Sequence, residues 1–196
     1  ILYSSGTTGA PKCIVHSVSG TTSQRVKEHR LHADLRQGDR AFYFSTCGWM
    51  MWNWLVSCLM AEATAIVYEG SPFYPGPERL WEMAETEKLS LFGTSAKYLD
   101  AVRKEGVIPA NIADLSALRT LCSTGSPLSE EGFDFVYEGI KSDIHLSSIS
   151  GGTDLMACFV LGCPVLPVYA GEIQVRGLGM DVAILDDNGK VVAGEQ

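Results

Sequence analysis

Short apolar runs alternate along the chain with longer stretches whose apolar positions recur at helical spacing, which is the pattern of βα units and predicts an α/β fold. The apolar runs predict strands over 1–4, 13–16, 41–45, 64–68, 89–93, 120–123 and 143–148. Helices are predicted over 19–33, 50–62, 78–87, 96–105 and 130–139. Ser95 and Ser129 stand immediately before two of these helices, where a hydroxyl can accept one of the orphan N–H groups of the first turn. Beyond about 164 the pattern turns β-rich, with apolar runs over 168–171, 172–175 and 182–185. Asn188-Gly189 then predicts a type I′ hairpin, since both central residues of that turn need positive φ. The organisation expected is an incomplete α/β portion over 1–164, followed by the start of a β-rich subdomain over 165–196. The Pro- and Gly-rich segment 70–77 reads as a surface loop, and no internal repeat is visible.

Composition narrows the function. With 46% hydrophobic residues among 196, the chain can bury a substantial core. A formal charge of -8 argues against a nucleic-acid partner, because such affinity comes from Lys and Arg neutralising phosphates. The six cysteines contain no CxxC pair, so they read as reduced, mostly buried thiols of a cytosolic protein. The longest apolar stretch, 49–61, falls short of the roughly 20 residues of a membrane span and contains Asn53 and Ser57. The chain starts on Ile1, inside a predicted strand, and 191–196 follows another, so both ends are expected to lie within a larger fold.

The chemistry is concentrated first in Ser4-Ser5-Gly6-Thr7-Thr8-Gly9-Ala10-Pro11-Lys12. Its glycines allow the backbone to approach an anion, its hydroxyls offer donors to phosphate oxygens, and Lys12 supplies positive charge. The G-K-[ST] ending of a Walker A loop is absent, as Cys13 follows the lysine. Composition alone also admits an ordinary solvated turn. The complete string, however, resembles the signature of the adenylate-forming superfamily, which includes acyl-CoA synthetases, luciferases and peptide-synthetase adenylation domains.

Further segments resemble that superfamily's elements in the same order. Gly125-Ser126-Pro127-Leu128 is similar to G-[ES]-P-[LIM], whose backbone runs along the adenine. Ser150-Gly151-Gly152-Thr153-Asp154 is similar to Y-G-x-T-E, in which the threonine meets the α-phosphate and the acid holds Mg2+. Here Asp154 replaces the glutamate, which favours contact through a water, and Ser150 replaces the aromatic residue. The segment 171–177 is similar to G-E-[LI]-x-[VI]-x-G and reads as a structural strand. Gly48-Trp49-Met50-Met51-Trp52-Asn53-Trp54 is similar to the region near the acyl site, with Trp49 the candidate wall residue and the rest of the stripe read as core.

The resemblance implies part of the large N-terminal domain of an adenylate-forming enzyme. It implies ATP, Mg2+ and coenzyme A as reactants, with Ser4, Ser5, Gly6, Thr7, Thr8, Gly9, Lys12, Gly125, Ser126, Pro127, Gly152 and Thr153 at the nucleotide. Thr153, Asp154 and Lys12 would serve the chemical step, and Asp154 would hold the metal. Within the superfamily, GWMMWNW, YEGSPFYPGP and ISGGTDL resemble members that activate acetoacetate. In acetyl-CoA synthetases a Trp pair stands where this chain has Ser150 and Gly151, so the acid pocket, with Trp49, is expected to admit an acid longer than acetate. His145 and Asn53 are candidate donors to its keto oxygen. The superfamily's ribose-gripping Y-x-[TS]-G-D element and its C-terminal lysine have no match here, so these 196 residues alone are expected to have weak or no ligase activity. Two alternatives remain open: another short-chain acid–CoA ligase, and a nucleotide-binding remnant without ligase activity.

Overall fold

The computed structural model describes residues 1–4 and 9–192. The predicted strands form a two-stranded hairpin and a five-stranded parallel sheet. The hairpin pairs β1 (Leu2–Ser4) antiparallel with β2 (Lys12–Ile14). The sheet contains β3 (Arg40–Tyr43), β4 (Thr64–Ile66), β5 (Leu91–Ser95), β6 (Thr120–Thr124) and β7 (His145–Ser148), in the order β4-β3-β5-β6-β7. All four of its pairings are parallel. The strands read as nearly continuous apolar runs because helices cover both faces of the sheet.

Those helices are α1 (Val18–Lys27), α2 (Met50–Val56), α3 (Arg79–Thr86), α4 (Ala96–Lys104) and α5 (Glu130–Phe135). One face of the sheet, carrying Phe42, Phe92, Leu121 and Leu146, packs on Leu80 and Trp81 of α3, Tyr98 and Leu99 of α4, and Phe133 of α5. The other face, with Ala41, Tyr43, Leu91 and Cys122, packs on Met51, Trp54 and Leu55 of α2. The caps are as expected: Ser95 Oγ accepts from Tyr98 N and Ser129 Oγ from Gly132 N, both at 3.2 Å. Three of the predicted helices change pitch before they end. The α1 and α5 segments continue as wider π turns over Glu28–His32 and Val136–Ile140, and α2 tightens into a 3-10 turn over Ser57–Ala61.

The C-terminal part departs furthest from the sequence pattern. Two strands absent from that reading, β8 (Ser150–Gly152) and β9 (Ala157–Leu161), form an antiparallel sheet with β10 (Val175–Arg176). In β8 two glycines and a serine hide the period-2 signal, whereas β9 is a continuous apolar run, Ala-Cys-Phe-Val-Leu, with no alternation to read. Of the strands expected over 168–171, 172–175 and 182–185, β10 alone forms, together with a bridge between Leu185 and Val191. The Gln174 side chain does the pairing in the intervening loop, donating to the carbonyls of Cys163 (3.0 Å), Leu166 (2.9 Å) and Pro167 (3.2 Å) while accepting from Cys163 N (2.8 Å). The Asn188-Gly189 hairpin also differs from expectation. Gly189 has φ +76° whereas Asn188 does not enter positive φ, and Gly189 N donates to Asp186 O. This is the three-residue type of turn closed by a glycine bulge, and it replaces type I′. Among the cysteines Cys58, Cys122 and Cys158 are buried, but Cys13 and Cys47 are exposed, so "mostly buried" overstated their environment.

Candidate functional site

The carboxyl ends of parallel strands are where an open α/β sheet binds ligands, because the loops there diverge and leave a crevice. A cavity of about 530 Å³ occupies this edge. After β3, the start of α2 contributes Trp49, Met50 and Met51. The end of β6 and the turn beyond it contribute Thr124, Gly125, Ser126, Pro127 and Leu128. Ser148 and Ile149 follow β7, Ser150–Gly152 of β8 and Thr153 form the next wall, and Cys158, Gly171 and Ile173 complete it. The structure therefore brings together Trp49, Gly125, Ser126, Pro127, Ser150, Gly151, Gly152 and Thr153, which the sequence presents as separate motifs.

Several features fix this wall. Gly125 adopts φ +88°, and a Cβ there would stand 3.8 Å from the Trp49 ring, so the turn and the indole lie side by side in the cavity lining. Thr124 Oγ1 donates to Ile149 O at 2.8 Å, joining the β6 turn to the strand that leads into β8. Gly151 pairs with Cys158 beside a bulge at Ser150/Gly151. A Cβ on Gly151 would lie 2.4 Å from Ala157 O and 3.0 Å from Cys158 Cα, both backbone atoms. Gly151 is thus required for the two strands to approach.

Among the described residues no Asp, Glu, His, Lys or Arg lines the cavity. Its polar surface is hydroxyls and backbone, and the Cys158 thiol is held well above its usual pKa, by burial first and then by Glu28. Cys158 is accordingly a protonated wall residue rather than a nucleophile.

Other predicted residues stand elsewhere. Asp154 is exposed, in the turn that Met156 N closes onto Thr153 O at 3.1 Å, and does not line the cavity. Ser4, Gly9 and Lys12 belong to the β1–β2 hairpin region and are likewise outside the lining. Ser5, Gly6, Thr7 and Thr8 lie outside the described residues. Neither His145 nor Asn53 reaches the cavity. His145 Nε2 lies 3.0 Å from Gln174 Oε1, so its proton is committed to an amide oxygen and it is a structural group.

What sequence reasoning did not find is a buried polar cluster behind the wall. Glu28, fully buried, accepts from Gln24 Nε2 (3.0 Å), Cys158 N (2.8 Å), Trp54 Nε1 (3.0 Å) and Arg25 Nη1 (3.4 Å). It ties α1 to α2 and to β9. The available signal was that α1 lacks an apolar stripe, so its charged residues had to be what it buried.

The profile of the family described as "AMP-binding enzyme" matches residues 1–196. The chain belongs to the AMP-binding enzyme family. Its relatives agree. It is 62% identical over 196 residues to an acetoacetyl-coenzyme A synthetase of Rhizobium meliloti (strain 1021), covering all of this chain and 30% of that protein. It is 44% identical to a malonamoyl-CoA synthetase of Penicillium aethiopicum, over 93% of this chain and 27% of the other. The solved structure of an acetoacetyl-CoA synthetase from Streptomyces lividans superposes with a TM-score of 0.93 at 46% identity, over 99% of this chain and 30% of that one. The chain thus spans about a third or less of the length of these relatives. Among the described residues no helix is long and apolar enough to cross a membrane.

Proposed function

We propose that the intact gene product carrying this chain is an AMP-forming acid–CoA ligase that activates acetoacetate with ATP and coenzyme A. A carboxylate oxygen of the acid attacks the α-phosphorus of ATP; the bond to the pyrophosphate oxygen breaks, giving acetoacetyl-AMP. The sulfur of CoA then attacks the acyl carbon, AMP leaves, and the thiol proton passes to solvent. The observation that supports this best is the cavity at the carboxyl edge of the sheet, where Trp49, the Gly125–Ser126–Pro127 turn and Ser150–Thr153 share one lining that, among the described residues, carries no charged side chain. Such a lining suits a neutral adenine and a short acyl chain, with hydroxyls and N–H groups left for phosphate oxygens.

In this reading the Gly125–Ser126–Pro127 backbone lies along the adenine, and the Thr153 hydroxyl donates to the α-phosphate. Charge that develops there is stabilised by groups already in place. Ser4 to Lys12 closes over the β- and γ-phosphates. Trp49, Ser150 and Gly151 bound the acid. Asp154 fits an Mg2+ that arrives with the nucleotide, since that ion commonly takes one or two carboxylates plus substrate phosphate and keeps its waters. When bound, the metal neutralises phosphate charge. Both relatives' acyl groups, acetoacetyl and malonamoyl, carry a carbonyl on the third carbon, which favours acids of that class. A ligase for another such short acid is the second reading. We also propose the division near residue 164 and a cytosolic location, where unpaired thiols persist.

The test is Thr153→Val in the intact gene product. ATP–pyrophosphate exchange with acetoacetate should fall well below wild type; a rate within about threefold of wild type removes Thr153 from the α-phosphate. Pyrophosphate release across a panel of acetoacetate, malonamate, butyrate and acetate separates the two readings.

A further inference from the structure

The wall formed by Met50 and Cys158 is backed by two buried charges that the adenylation step does not use. Glu28 is fully satisfied by the N–H groups described above. Arg25, only 1% exposed, is not. Its Nη1 makes a long 3.4 Å contact to Glu28 Oε2, its Nε has no partner among the described residues, and its Nη2 meets the thioether sulfur of Met50 at 3.2 Å. A thioether is a weak acceptor on a side chain with three rotatable bonds, whereas a guanidinium carries five donors in a fixed plane. Met50 lines the cavity. A buried cation with idle donors is therefore separated from the acid pocket by one displaceable side chain.

We propose that Arg25 is a specificity-determining residue for the acid: the oxygen on the third carbon of a β-oxo acid displaces the Met50 sulfur and accepts from the Arg25 guanidinium. This rests on the acid-activating function above and supplies the donor to the keto oxygen that His145, held by Gln174, does not provide. Glu28 keeps the guanidinium in place and, through Cys158 N, fixes the Cys158 part of the same wall. An acid of equal length without the oxygen leaves Arg25 with the sulfur alone. A site built to hydrogen-bond a substrate oxygen discriminates strongly against the analogue that lacks it.

The experiment compares kcat/KM for ATP–pyrophosphate exchange with acetoacetate and with butyrate, using the intact gene product. Arg25→Met should lower the acetoacetate-to-butyrate ratio by a factor of about 10 to 100, the worth of a hydrogen bond to a charged group. Arg25→Lys should restore part of it. Met50→Leu keeps the bulk of the wall and removes the competing sulfur, so the ratio should rise by about threefold or more; it also decides the matter if Arg25→Met does not fold. A ratio within about threefold of wild type in Arg25→Met, or equal losses with both acids, overturns the proposal. So does an unchanged ratio in Met50→Leu. A wild-type enzyme that exchanges with neither acid refutes the underlying function instead, which separates the two failures.

Discussion

Replacing Glu28 by Gln alters no volume and turns one oxygen into an NH2 group. On Oε1 the carboxylate accepts from Gln24 Nε2 and Cys158 N; on Oε2 it accepts from Arg25 Nη1 and Trp54 Nε1. An amide presents its oxygen to one of these pairs and faces the other with N–H against N–H. Two buried donors are then unsatisfied at about 1–3 kcal/mol each, or about 2–6 kcal/mol together. Loss of one partner of a buried ion pair gives about 3–5 kcal/mol by an independent route. Both ranges contain about 4 kcal/mol, a large share of the roughly 5–15 kcal/mol that holds a domain folded. Hydrogen exchange in the intact gene product, read on peptides covering 24–32, 50–61 and 157–161, should show local opening eased by about that amount. Arg25→Met added to Glu28→Gln should recover part of the loss, because it removes the stranded cation. An opening free energy within about 1 kcal/mol of wild type would refute the view that this carboxylate joins α1, α2 and β9.

Two further outcomes are expected. Burial and the neighbouring Arg25 push His29 from its usual 6.5 down to about 3, while Ser57 Oγ lies 2.8 Å from its Nε2. The unfolded chain therefore takes up a proton that the fold refuses: the contribution of neutral His29 is complete above pH 6.5 and falls by about 1.4 kcal/mol per unit as pH drops towards 3. His29→Gln should flatten the pH dependence of the melting temperature between 6.5 and 4.5, and a slope equal to wild type would count against it. Met156 adopts φ +52° in the turn that carries Thr153 and Asp154. Met156→Gly should relieve this left-handed strain and raise stability by roughly 0.5–1 kcal/mol; a lower denaturation midpoint would contradict it.

How much was legible follows from the range of each signal. Turn chemistry, capping and hydrophobic period act within a few residues, so the five helices and the strands β1 to β7 could be read directly, as could the Ser95 and Ser129 caps. The ordered strings at Ser4 to Lys12, Gly125 to Leu128 and Ser150 to Asp154 carried the family. Illegible were β8, whose glycines and bulge suppress alternation, β9, a continuous apolar run without alternation, and the 163–174 loop, where one Gln174 side chain replaces a ladder. The local pattern left open which strands neighbour which, and hence that Trp49 lies beside Gly125 while Asp154 and Lys12 stand outside the cavity. It also left open that Arg25 and Glu28 are interior. Glu28 and Cys158 are 130 positions apart, and a contact of that separation exists only once the sheet has ordered its strands. The cavity and the charge behind it are thus properties of the assembled fold, while the Ser4 to Lys12 string belongs to the local sequence.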